Sequence, residues 1–140
     1  MAAMSDFLEN KLLDFLFRGQ ALGVTGASAA AGTGPTALFF ALLTATPSDA
    51  GGGTEVTGGS YTRISVTSSL VNWAGTQAAA STVASSGTNG TTSNNATIAF
   101  PAPTANWGSI VAFGIYDAVT AGNLLFWGAL TTPKTIDYQQ

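Results

Sequence analysis

"FGIYDAVTAGNLLFWGAL", residues 113–130, decides how the chain is read. Two apolar arms flank "AVTAG", a short connection of turn-forming residues, so the stretch reads as a β-hairpin. It carries a single charge, Asp117, and both arms are apolar on both faces. A strand with one wet face alternates; a strand apolar throughout is covered on both sides. One face therefore belongs in a core. The other lies under a second sheet, a twin subunit or another protein, or the whole hairpin is central within one domain.

Working outward, "ALFFALLT" (37–44), closed by Pro47, reads as a buried strand. "YTRISVT" (61–67) alternates, with Ile64 and Val66 facing one way and Arg63 and Ser65 the other. "ATIAFPAP" (96–103) and "KTIDYQQ" (134–140) supply two more short strands, the last at an edge with Ile136 and Tyr138 together. "SDAGGGTEVTGGS" (48–60) is a glycine-rich loop. "TQAAASTVASSGTNGTTSNN" (76–95) is an uncharged arm or a weak hairpin around "TNG". Short strands at fairly even spacing predict a mainly β chain, a jelly roll or β-sandwich of about seven to eight short strands.

Before them stands one amphipathic helix. Leu8, Leu12, Phe15 and Leu16 share a stripe, with Lys11, Asp14 and Arg18 opposite. Asp6 and Glu9 are spaced as a cap and its reciprocal partner, Asp14 precedes Arg18 by one turn, and Gly19 ends the helix. The expected organisation is a helical segment (1–20), an Ala/Gly-rich connector (21–36) and a β-sandwich (37–140), one domain overall.

Charged residues make up only 8% of the chain, with a net charge of −3. Lys11, Arg18, Arg63 and Lys134 are scattered singly, which excludes nucleic-acid and polybasic membrane partners. Acidic Asp6, Glu9 and Asp14 stand where a secretion signal needs basic residues, and "ALFFALL" is too short to span a bilayer. With no histidine and no cysteine, the commonest base, metal ligand and thiol nucleophile are absent together, as is any disulfide. "GGGTEVTGG" lacks the lysine of a phosphate loop. Asp49, Glu55, Asp117 and Asp137 are the only carboxylates of the β region, too few and too scattered for a glycosidase pair or a calcium cage. The expectation is no enzyme, no cofactor and no metal.

What remains is surface. Tryptophans and tyrosines bordering strands pack at core edges, anchor interfaces or stack on sugars. Three apolar groups of the helix, Phe7, Leu13 and Phe17, fall off its main stripe. The candidate interaction surface is Phe7, Leu13, Phe17, Arg18, Arg63, Trp73, Trp107, Tyr116, Trp127 and Tyr138.

Several phrases, "SDFLENKLLDFLFRG", "LLTATPSDAGGGTEVTGGSYTRISVTSSLVNW", "IAFPAPTANWGSIVAFGIYD" and "GNLLFWGALTTPKT", resemble a family of small bacteriophage virion proteins often labelled tail-fibre-like. The chain is similar in particular to capsid cement (decoration) proteins of the kind found on a Bordetella phage head. That resemblance implies a jelly roll, made in the host bacterial cytoplasm and bound to the outside of an HK97-type capsid. Its partners would be the major capsid protein and a second copy of itself, as a homodimer, bridging capsid subunits by apolar burial and strand augmentation. It implies no catalytic residues. The tryptophans and the fibre label carry the alternative, a tail-fibre-associated receptor- or glycan-binding module.

Overall fold

The computed structural model describes residues 4–23 and 34–139; most of the expected connector, 24–33, lies outside them. The chain forms two compact units. One comprises Met1–Ala37 with Thr67–Ile98, the other Leu38–Val66 with Ala99–Gln140.

The first unit is built on helix α1, Asp6–Arg18. Ser5 caps it, not Asp6. Its extended backbone turns the Ser5 Oγ onto the Leu8 N–H at 3.4 Å, which leaves Asp6 inside the first turn where its charge favours the helix dipole. Gly19 stops the helix in the left-handed conformation, at φ 65°. A Cβ there would meet the Ser68 carbonyl at 2.7 Å, a second reason for glycine.

The face this helix buries is the reverse of the expected one. Asp14, Phe17 and Arg18 are buried, whereas Leu8 is exposed and Leu12, Phe15 and Leu16 are half-buried. The segment packed on Asn10, Asp14 and Arg18 explains the inversion. Residues 73–95 form no strand; one isolated bridge, Trp73–Asn94, replaces the expected arm or hairpin. Rich in Ser, Thr and Gly, this segment has little apolar surface to offer but many backbone groups needing partners. Polar helix side chains meet that need better than leucines.

The second unit is one antiparallel sheet. Its strands are β1 (Ala37–Ala45), β2 (Thr54–Glu55), β3 (Ile64–Thr67), β4 (Gly108–Tyr116) and β5 (Leu124–Ile136). The order is β2-β1-β4-β5, with β3 also paired to β1. The hairpin of 113–130 is present as the β4–β5 pair, but only β4 is central. β5 is the sheet's edge and is exposed along much of its length. The "KTI" of the expected final strand continues β5 rather than forming a strand of its own. "ATIAFPAP" forms no strand; Phe100 instead stacks on Tyr61 at 6.1 Å.

The fold is thus mainly β with one helix, but an open five-stranded sheet stands in place of a sandwich or jelly roll of seven to eight strands. Runs 46–53 and 68–97 lack the apolar alternation that a second sheet needs. Two clusters hold the sheet unit. Ala41, Leu43 and Ala112 form one, packed by Val111 and Tyr116. Val56, Trp107 and Ile110 form the other, with Leu42, Tyr61, Phe100, Leu130 and Ile136 against them.

Glycine is used once on each face of the hairpin to seat an aromatic ring. Phe113 lies opposite Gly128 and Trp127 opposite Gly114. A Cβ at Gly128 would stand 2.8 Å from the Phe113 ring, so the cross-strand contact requires its absence.

Candidate functional site

Two of the four basic residues serve as internal fasteners, one in each unit. In the first, the Arg18 guanidinium binds the Asp14 carboxylate at 2.7 Å, one helical turn back, and the pair is sealed from water. The remaining donors of Arg18 reach the carbonyls of Trp73 (3.1 Å), Ser81 and Val83 and the Ser85 hydroxyl. Asp14 in turn accepts from the Ser85 N–H at 2.9 Å and from its hydroxyl. Asn10 donates to the Gly87 carbonyl at 3.0 Å and accepts from Thr76. Phe17 closes the edge against Trp73, ring centres 4.7 Å apart at 65°. A strandless segment is held in one conformation by a fork of fixed geometry.

In the second unit Arg63 does the same for the β4–β5 turn. It makes a bidentate pair with Glu55, at 2.9 and 2.7 Å, and donates to the carbonyls of Ala118 (2.7 Å) and Ala121 (2.8 Å). Its guanidinium lies 3.7 Å over the Tyr116 ring. The Glu55 hydrogen bond chiefly keeps the guanidinium protonated, against the pull of burial. Tyr61 donates to the same carboxylate at 2.9 Å and accepts from the Leu42 N–H. Burial above all, with the Glu55 contacts, pushes its phenol well above the usual range.

The turn has its own clasp. Asp117 accepts from the side-chain amide and the backbone N–H of Asn123, each at 2.7 Å, and these bonds hold its carboxyl below the usual range. Glu55 and Asp117 are therefore structural anchors, while Asp49 and Asp137 are exposed and separate. Among the described residues no group of three or more His, Cys, Asp or Glu is placed to hold a metal ion. No helix among them is long and apolar enough to cross a membrane.

The ten nominated surface residues separate by burial. Phe17, Arg18, Arg63, Trp73 and Trp107 are buried and hold the fold from within. For the arginines the reason is the carbonyls just described; for Trp107 it is an indole N–H donated to the Gly59 carbonyl at 2.9 Å. Leu13 is half-buried, and Tyr116 is half-buried beneath Arg63. Phe7, Trp127 and Tyr138 are exposed, at 57%, 38% and 42%. Sequence reading passed over Phe126, exposed at 39% beside Trp127, although the unbroken apolar pair "FW" in an alternating strand was its signal.

The exposed apolar surface of the sheet unit thus gathers on β5. Leu124–Trp127 border an open cleft of about 350 Å³ whose other wall is the tight Ser48–Gly51 turn, closed by reciprocal backbone bonds of 2.9 and 2.8 Å. From Leu124 to Pro133 the strand bears no charge. It is suited to covering by another surface and offers no reacting group.

A family profile described as "Podophage GP4 fiber I protein gp80" matches residues 3–139. No curated protein matches the chain. The match corrects the capsid-cement reading, together with its capsid-bridging role and outer-capsid location: the family is one of phage fibre proteins. Phrases such as "GNLLFWGAL" encode a hairpin with a neutral edge, and such an edge suits any lattice or fibre. The resemblance therefore carried the texture of a virion protein and not its place. The family is structural and not enzymatic. The protein belongs to the podophage GP4 fiber I gp80 family, structural components of the phage virion.

Proposed function

We propose that the chain serves its fibre by docking, through the neutral apolar edge of β5, against another protein of the fibre. One observation carries this reading: Phe126 and Trp127 stand exposed on an edge strand with no charge from Leu124 to Pro133. Burying such a surface strips water from no ion, so the gain of roughly 25 cal/mol per apolar Å² is not offset by charge desolvation. Attachment held this way is nearly indifferent to salt. The test washes fibre-bearing virions at rising ionic strength and measures the protein retained. Constant retention is expected; a steep loss between low and moderate salt overturns the reading.

A second reading rests on the cleft itself. Trp127 stands beside Ser48 and Asp49, an aromatic face next to a hydroxyl and a carboxylate, the groups that hold a sugar ring. Glycan arrays with the purified protein test it. Binding lost in Trp127→Ala supports it, and no binding to any host-surface glycan ends it.

A further inference from the structure

We infer that β5 pairs with β5 of a second copy, antiparallel and centred on Trp127, joining two sheets into one. The partner named here deepens the docking reading and rests on it. Three features of the sheet lead to this occupant.

The first is that the two ends of the sheet differ. β5 runs Leu124–Ile136, and its regular ladder to β4 covers Leu124 and Phe126–Ala129. An edge strand turns alternate N–H and C=O groups away from its neighbour, ready for another strand. The usual protections, a proline and a lysine, come only at Pro133 and Lys134. At the opposite end β2 is two residues long and carries Glu55, already committed to Arg63. A head-to-tail stack of β5 on β2 has almost nothing to pair with. Like edges meeting like give a closed pair instead.

The second feature is register. A two-fold axis normal to the sheet keeps each residue on its own face, so directly opposed residues must share a side. Centring on Trp127 sets Leu124 opposite Leu130, Leu125 opposite Ala129, and Phe126 opposite Gly128 of the second copy. The last pairing repeats between chains what the hairpin does within one, where Phe113 faces Gly128 and Trp127 faces Gly114. The two Trp127 rings meet at the axis as a cross-strand aromatic pair. Centring on Phe126 loses this match by setting the two Phe126 rings against each other.

The third feature is charge. In this register no ionised side chain falls within the paired stretch, since Asp117 and Lys134 both lie outside it. Nothing repels and nothing must be desolvated.

The chain lacks cysteine, which makes the register directly readable. Leu125→Cys and Ala129→Cys proteins are prepared separately, then oxidised alone and as a mixture. Opposed residues bring their Cα atoms to about 4.5–5.5 Å, within disulfide reach. Identical cysteines would be four residues out of step, roughly 14 Å along the strand. The mixture is expected to cross-link several-fold more than either protein alone. Sedimentation is expected to give a dimer for the unmodified protein and a monomer for Trp127→Lys with its far-UV circular dichroism retained. An unmodified protein that stays monomeric at its highest soluble concentration overturns the pairing, as does a mixture that cross-links no better than its components. If that monomer still remains on virions regardless of salt, the pairing fails and the docking reading stands. If its Trp127 fluorescence instead responds to a host glycan, the cleft belongs to the sugar.

Discussion

Arg18 shows what a single side chain does in a chain so poor in charge. Its guanidinium satisfies one carboxylate, three carbonyls and a hydroxyl at once. Arg18→Ala leaves the buried Asp14 without its counter-ion, an effect of about 3–5 kcal/mol that urea unfolding measures. Arg18→Lys recovers only part of this, because a single ammonium cannot span the same set of acceptors. Asp117 gives a pH-dependent counterpart. Its carboxyl is held low by Asn123, so the clasp on the β4–β5 turn is complete above the unfolded value of about 3.9 and is lost as pH falls through the lower folded value. The Asn123 amide resonance should titrate below the ordinary aspartate range, and Asp117→Asn should abolish that titration. Tyr61 behaves in the opposite sense. Its raised phenol contributes stability that is whole below about pH 10 and declines as pH rises from there, which ultraviolet difference spectra follow.

At the level of elements, a glycine on a strand and a stripe on a helix teach different lessons. Gly128→Val pushes a side chain into the Phe113 ring and should destabilise the protein by about 1–3 kcal/mol, read from its thermal midpoint. The α1 helix, its Gly19 stop, β1 and the hairpin were legible in the sequence, since each is set by local periodicity or by one backbone conformation. Which face of α1 turns inward was not legible. Periodicity places the apolar stripe but assumes that the partner is apolar, and here the partner is a strandless polar segment needing donors. The count of strands failed for a related reason. "ATIAFPAP" has the composition of a strand, but two prolines leave it few ladder bonds, and Phe100 reaches the core by stacking instead.

The whole molecule divides into a helix-anchored unit and a sheet unit, and deletion of residues 1–18 separates their dependences. Without Asn10, Asp14 and Arg18, residues 73–87 lose their anchors and should become the first site of limited proteolysis, while the β signal in circular dichroism persists. Loss of that signal would tie the sheet to the helix. The candidate surface was half legible at this scale. Low charge and apolar hairpin arms pointed to docking, but burial of five of the ten named residues depends on long-range packing that no local pattern encodes.

The chain's only two arginines are those two fasteners, one to each unit. A dicarbonyl reagent that attacks free guanidinium groups should therefore leave the native protein almost untouched. Lys11 and Lys134, by contrast, remain the natural targets of amine acylation. Under mild denaturant, the moment at which each arginine becomes reactive, followed peptide by peptide in a mass spectrometer, times the opening of its own half of the protein. The sequence carries an intrinsic pair of chemical clocks that no introduced label would improve.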